Sequence, residues 1–296
     1  MRTALLGVAL SELLRKVVNM SYSESELEQL HKVLYEILGE IVRVCDILNI
    51  PYFIQGGTAI GAFFENAILP WDDDIDVGMT RENYERFLKE APAVLKKDYF
   101  LQWVGSDPHT PFYFAKLRKN GTKFVEEISE GLDMHHGIYV DIFPFDKVPD
   151  NQTLQKIQRS VAMNLNLCFV GKEKWLWPHF GKPAVKDVYQ WNWFYCLILK
   201  IFFTMFSKRT IYNMFCFVEK LFDKKNCEFY NILIMKKDHI AVSAIENLEK
   251  RPFGPLTVTA PSDLETYLRR HYRNLRRYIP KEEQVNHKPI ELDFGE

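Results

Sequence analysis

Residues 54–79 constrain this chain more than any other stretch. They join the small-residue turn Gly56-Gly57-Thr58 to an acidic run, Asp72-Asp73-Asp74-Ile75-Asp76-Val77-Gly78-Met79. From Asp74 onward acidic and apolar residues alternate, which is the period of a strand with one buried face. Asp74 and Asp76 then share a face, with Cα atoms about 6.6 Å apart. Two carboxylates about 4 Å apart repel by roughly 4 kcal/mol at an effective dielectric of about 20, and a proton or a cation relieves that repulsion. Hard oxygen donors suit Mg²⁺ or Mn²⁺, ions that often complete their coordination with phosphate oxygens. Asp72 and Asp73, which follow Pro70, read as residues that shape the turn.

The elements around this stretch follow from caps and periodicity. Ser23 with Glu26 three residues on is a capping box, and it opens a helix to about Leu48 with Leu27, Leu30, Leu34, Ile37, Leu38, Ile41, Cys45 and Leu48 inward. Asn49 and Pro51 stop it. A short strand, Tyr52–Ile54, leads into Gly56-Gly57, and Thr58 to Phe64 is helical in character. Gly56, Gly57 and Thr58 therefore sit where free backbone N–H groups can meet a phosphate. Thr80 caps a helix over Arg81 to Glu90, and this places Arg81 at the mouth of the acidic site. Tyr99 to Val104 reads as a strand. Phe112–Arg118 and Lys123–Glu126 read as a hairpin about Asn120-Gly121. Lys116 and Arg118 share one strand face, where they point at a diphosphate or at solvent. Gly137 to Pro144 is an apolar strand with a single acid inside, Asp141. A lone buried carboxylate is costly unless paired or metal-bound, so Asp141 is the natural third acid.

Composition removes several classes. With 38 Lys and Arg against 39 Asp and Glu, the chain lacks the bulk positive charge of a nucleic-acid coat protein. Its five cysteines show no C-x-x-C pair, which fits a reducing, cytoplasmic compartment better than a disulfide framework. No stretch is a spanning helix, and residues 1–22 read as an amphipathic helix.

Near residue 150 strand patterns give way to helical ones, so three segments are expected: 1–22, a catalytic core at 23–150, and a mainly helical portion at 151–296. Trp191 to Phe206 carries only Lys200 as a charge and reads as a buried helix or as one resting on a membrane. A further helix from Ser262 or Asp263 carries Arg269, Arg270, Arg273, Arg276 and Arg277 as its basic portion, a solvated face or a contact for acidic headgroups.

Taken together, Gly56-Gly57-Thr58, Pro70-Trp71-Asp72-Asp73-Asp74-Ile75-Asp76-Val77-Gly78-Met79, Arg81, Tyr84 and Asp141-Ile142-Phe143-Pro144 resemble the LicD family. The similarity runs from about residue 25 to 290, since Arg251-Pro252-Phe253-Gly254, Tyr267-Leu268, Tyr272 and the His287-Lys288 tail also look like the family's C-terminal pattern, and the acidic motif is its most specific part. The resemblance implies an α/β (α+β) nucleotidyltransferase-like mixed sheet flanked by helices. It also implies Asp74 and Asp76 as the metal-binding pair, Asp141 as the third carboxylate, and Gly56, Gly57 and Thr58 as the phosphate-facing turn. The expected activity is metal-dependent transfer of a phospho-alcohol group, phosphocholine foremost, from a CDP-linked donor to a hydroxyl of a surface glycan or its lipid-linked precursor. Lys116, Arg118 and Arg81 are the expected phosphate contacts. Asp141 would complete a metal position or serve as general base. Nucleotidyl transfer to a small hydroxylated acceptor, and a catalytically silent glycan-binding relative, are the alternatives. The expected place is cytoplasmic, peripheral to the inner face of a membrane, with no nucleic-acid partner. Family members commonly carry a basic segment where this chain has Phe63-Phe64-Glu65-Asn66.

Overall fold

The capping box at Ser23 is formed as expected: its Oγ accepts from the Glu26 N–H at 3.2 Å, and Glu26 Oε2 accepts from the Ser23 N–H at 2.7 Å. It starts helix α1, Glu24–Leu48, which Asn49 ends in a left-handed conformation at φ 51°. Leu30, Leu34, Ile37, Leu38, Ile41 and Cys45 are buried, while Leu27 and Leu48 at the two ends of the stripe are only partly buried against the core. This computed structural model describes residues 22–173, 201–235 and 239–295, except 203, 273 and 285. The expected amphipathic helix at the N-terminus and most of the Trp191–Phe206 segment lie outside the described residues.

After α1 come β1 (Phe53–Ile54), α2 (Gly56–Phe64), β2 (Asp76–Thr80), α3 (Arg81–Glu90), β3 (Tyr99–Gln102), β4 (Ala115–Lys119), β5 (Lys123–Val125) and β6 (Tyr139–Val148). The principal sheet has the order β1-β2-β6-β4-β3. Its β2–β6 pair is parallel and the other pairs are antiparallel, which makes it the mixed sheet expected. Ile75, Val77 and Met79 are fully buried, so the alternation seen in the acidic stretch is real. The ladder, however, starts at Asp76, and Asp74 lies in the chain just before it.

The expected hairpin about Asn120-Gly121 is a correction. The chain does turn there, with Gly121 at φ 78°, but β4 pairs with β3 and β6. A strand has two edges and both of these are taken, so β5 leaves the sheet and pairs with β11 (Glu291–Asp293) instead.

Past residue 150 the described elements are α4 (Gln152–Val170), α5 (Lys208–Glu219), β7 (Phe229–Asn231), β8 (Ile240–Ala241), α6 (Val242–Glu246), β9 (Glu249–Phe253), β10 (Leu256–Ala260) and α7 (Leu264–His271), before β11. β7 pairs with the far end of β6, at Asp146, Lys147 and Val148, and with β8. One buried cluster runs from Leu30 of α1 through the sheet to Leu268 of α7. The chain on either side of residue 150 therefore shares a sheet and a core. The basic helix is shorter than expected: α7 ends at His271 because Tyr272 turns extended, and Arg276 and Arg277 lie beyond it. Among the described residues, no helix is long and apolar enough to cross a membrane.

Candidate active site

Three neighbouring strands carry the centre of the site in one row. Parallel pairing sets Asp76 of β2 opposite Asp141 of β6, and antiparallel pairing sets Asp141 opposite Lys116 of β4. Side chains at paired positions lie on the same face of a sheet. The row therefore reads carboxylate, carboxylate, ammonium. Lys116 Nζ is 2.9 Å from Asp141 Oδ1 and 3.4 Å from Glu126 Oε2, and it lies 3.4 Å from the centre of the Tyr139 ring and 4.1 Å from that of Phe112. A buried ammonium needs such counter-charge and aromatic faces to offset lost hydration.

The Gly56-Gly57 turn packs directly on the acids. A Cβ on Gly56 would stand 2.8 Å from Asp76 Oδ2, and one on Gly57 would stand 2.6 Å from Asp72 Oδ2. Gly56 is also at φ 59°, a left-handed conformation that favours glycine. Backbone bonds complete the join. Asp76 N–H donates to Thr58 Oγ1 at 2.8 Å, Gln55 N–H donates to the Asp76 carbonyl at 3.2 Å, and Asp141 N–H donates to the Ile75 carbonyl at 3.0 Å. The hydroxyl of Thr58 thus takes up a backbone group of the acidic strand.

The four acids of the motif differ in their surroundings. Asp73 is buried, and its Oδ2 accepts from the Tyr22 hydroxyl and from the His287 N–H, each at 2.8 Å. It ties the start of α1 and the C-terminal tail to the acidic turn. His31 Nε2 lies 2.7 Å from the Asp72 carbonyl. Burial, then the charges of Asp74 and Asp73, push the Asp72 carboxyl up to about 8, and it hydrogen-bonds Asp74. Asp74 is raised by burial and by Asp73, against the pull of His287 and Lys116. Asp76 is raised well above the ordinary range by burial and by Asp74 and Asp141. Asp141 is pushed up to about 7 by burial, with Lys116 pulling it down and Glu126 pushing it up. Among the described residues, the one set of three whose ligand atoms all lie within 4.8 Å of one another is Asp73, Asp74 and His287, and not the expected Asp74, Asp76 and Asp141; the distance of His287 along the chain hides that grouping from a sequence reading.

Of the expected phosphate contacts, the structure brings Lys116 to the acids and does not bring Arg81 there. Arg81 donates to both oxygens of Asp146 and to Glu219 Oε2, each at 2.6 Å, with all three residues buried. Arg118, fully buried, donates to Gln102 Oε1 and to the Gly137 carbonyl, each at 2.6 Å. Sequence reasoning missed Tyr22 and gave His287 and Tyr267 no role at the site; the Tyr267 hydroxyl accepts from the Gly56 N–H at 3.3 Å. At the departure noted above, Glu65 accepts from Arg277 Nε at 2.9 Å, so the fold brings a cation to this place from the other end of the chain.

A turn of two glycines packed on carboxylates, with the acids on adjacent parallel strands, coincides with a family match. Residues 49–178 match the LicD/FKTN/FKRP nucleotidyltransferase domain. Residues 49–178 thus carry a LicD-family domain. It is 28% identical over 162 residues to the lipopolysaccharide cholinephosphotransferase LicD of Haemophilus influenzae, covering 51% of this chain and 56% of that protein. Over 66 residues it is 32% identical to an uncharacterized protein of Rickettsia typhi, covering 22% of this chain and 21% of that one. The chain thus spans little more than half the length of the Haemophilus relative. The LicD-family segment contains Gly56, Gly57, Thr58, the acids from Asp72 to Asp76, Lys116 and Asp141. Tyr22, His31, Tyr267, Arg277 and His287, which hold or flank the acidic turn, come from outside it.

Proposed function

We propose that this chain is a metal-dependent phosphotransferase that moves a phospho-alcohol group, phosphocholine foremost, from a CDP-linked donor to a hydroxyl of a surface glycan or its lipid-linked precursor. The observation that carries the reading is the row Asp76, Asp141 and Lys116 across three adjacent strands, closed on one side by Gly56 and Gly57. Phosphocholine is the group named for the Haemophilus influenzae relative. A peripheral position at the inner face of a membrane suits a lipid-linked acceptor and belongs to the same proposal.

Carboxylate oxygens are the donors a hard divalent cation takes. Burial and mutual repulsion raise every acid of the cluster, and the one ammonium set in the row opposes only part of that charge. Asp74, Asp76 and Asp141 would hold Mg²⁺ or Mn²⁺, all through oxygen. When bound, such an ion supplies charge neutralisation on the diphosphate and on the departing CMP.

The chain's own residues do the rest. In the transfer, the acceptor oxygen bonds to the phosphorus that bears the alcohol, the bond from that phosphorus to the CMP oxygen breaks, and CMP leaves with the electron pair. Lys116 fixes one oxygen of Asp141, leaving the other for the cation or for the proton of the acceptor hydroxyl. The N-terminus of α2 at Gly57 and Thr58 offers backbone N–H groups to the phosphate oxygens. Positioning and charge neutralisation carry most of phosphoryl chemistry, so few further groups are required.

The test is incubation of the purified chain with Mg²⁺ and a panel of CDP-alcohols. Release of CMP, greatest with CDP-choline, supports the reading. Pyrophosphate released from a nucleoside triphosphate, with no CMP from any CDP-alcohol, supports nucleotidyl transfer instead.

A further inference from the structure

We infer that the groove between α6 and α7 is a saccharide-binding subsite, the place where the acceptor glycan rests. Its role as the acceptor subsite rests on the phosphotransfer reading, whereas saccharide binding there does not. The groove has a volume of about 360 Å³, and Ser243, Asn247, Ser262, Thr266, Tyr267 and Arg270 line it. That volume lies within the range of small-molecule sites.

The chemistry of the lining selects the ligand class. Hydroxyl and amide side chains both donate and accept, as sugar hydroxyls do, so a mixed lining of Ser, Thr and Asn matches a saccharide in either direction. The walls are already fixed. Ser262 N–H donates to the Ala244 carbonyl at 3.0 Å, Asn247 Nδ2 donates to the Ser243 carbonyl at 3.1 Å, and Asp263 Oδ1 caps α7 by accepting from the Thr266 N–H at 3.3 Å. A preformed site spends little ligand affinity on ordering itself. Arg270 lies with its guanidinium 4.8 Å from the centre of the Phe229 ring and makes no ion pair among the described residues. Its N–H fork is thereby held at the groove with donors to spare.

The position of the groove relates it to the acids. Tyr267 forms one wall, and its hydroxyl accepts the N–H of Gly56, the residue packed against Asp76. One side chain therefore separates the groove from the glycine turn that packs on the carboxylates. The donor's diphosphate belongs at the carboxylates, where a cation would neutralise it, and the groove offers Arg270 as its cation. The acceptor fits the groove better than the donor does, with its terminal hydroxyl passing Tyr267 toward Asp76 and Asp141.

Saccharide binding is measured by NMR titration of the isotopically labelled full chain with the methyl glycosides of glucose, galactose and N-acetylglucosamine, with neither metal nor donor present. The expected result is that at least one glycoside shifts resonances of Ser243, Asn247, Thr266 and Arg270. The dissociation constant should rise about tenfold or more in the Asn247→Ala/Arg270→Ala double variant, as expected for the loss of two hydrogen-bonding side chains. Both positions are exposed, so folding should persist, and an unchanged melting temperature confirms it. The proposal is overturned if no glycoside shifts the groove residues, if the double variant binds as tightly as the parent, or if CDP-choline produces those shifts and the glycosides do not. CMP release plays no part in this readout, so failure of the phosphotransfer reading and failure of the subsite are seen separately.

Discussion

The Cβ that Gly56 lacks would stand 2.8 Å from Oδ2 of Asp76. Gly56 is also left-handed, at φ 59°. Gly56→Ala should therefore lose about 1–2 kcal/mol from the backbone alone, and it should also displace the Asp76 carboxylate. Metal affinity and CMP release are expected to fall about tenfold to a hundredfold, the usual loss when a ligand's supporting contact is removed. Gly121→Ala is the control, since Gly121 has φ 78° and open space where its Cβ would lie. It should cost comparable stability with activity intact. Equal activity losses in the two variants would refute a special role for Gly56.

The raised acids set a pH dependence for the metal-free protein. A carboxyl whose folded pKa exceeds its unfolded value contributes stability that is fully present below the unfolded value and lost as pH rises through the folded one. For Asp141 and Asp72 that window runs from the ordinary value of 3.8 to about 7 and about 8 respectively. In EDTA the melting temperature should fall as pH rises across this window, and Mg²⁺ should restore it most at the alkaline end. A metal-free melting temperature that climbs steadily over the same range would contradict the cluster's electrostatics.

Lys116→Met removes the ammonium that Asp141 and Glu126 share. Breaking a buried pair from one side costs about 3–5 kcal/mol. Denaturant unfolding in EDTA should show a loss of this size, with partial recovery in Mg²⁺. Unchanged metal-free stability would mean that the ion pair contributes nothing.

Arg81 is expected to act on folding rather than on donor binding. Arg81→Met leaves Asp146 and Glu219 buried without a cation, a loss of about 3–5 kcal/mol. The KM for the CDP-alcohol should stay near the parent value in the protein that folds. A variant with parental stability and a raised donor KM would instead make Arg81 a phosphate contact.

Much of the frame was legible locally. The capping box fixed the start of α1 and Asn49 its end, because caps and turns are written in residues a few positions apart; Thr80 stands at the start of α3 as expected, but its side chain makes no capping hydrogen bond. The alternation Ile75, Val77 and Met79 reported the buried face of β2 for the same reason. The rest depends on partners far along the chain. Lys116 and Arg118 look alike in sequence, and only the register of β4 on β6 sets Lys116 beside Asp141 while Arg118 meets Gln102 and Gly137. Arg81 stands one residue beyond β2, yet its partners are Asp146 and Glu219, one of them 138 positions away. The apparent hairpin at Asn120-Gly121 failed because nothing local says that both edges of β4 are already occupied. Tyr22 could not be singled out, since a lone tyrosine far from the motif carries no spacing signal, and Tyr267 and His287 were legible only as parts of a C-terminal pattern, without their contacts to Gly56 and Asp73.

The most direct measurement is CMP release by Asp76→Asn in saturating Mg²⁺ with CDP-choline. Removing one charged ligand from the row that faces the diphosphate should cost several kcal/mol of barrier, a fall on the order of a hundredfold or more. The expected result is that loss, in a variant that melts no lower than the parent in EDTA, because a buried and repelled carboxylate has been made neutral. Turnover near the parent value would contradict the assignment of Asp76 and, with it, the proposed chemistry of the site.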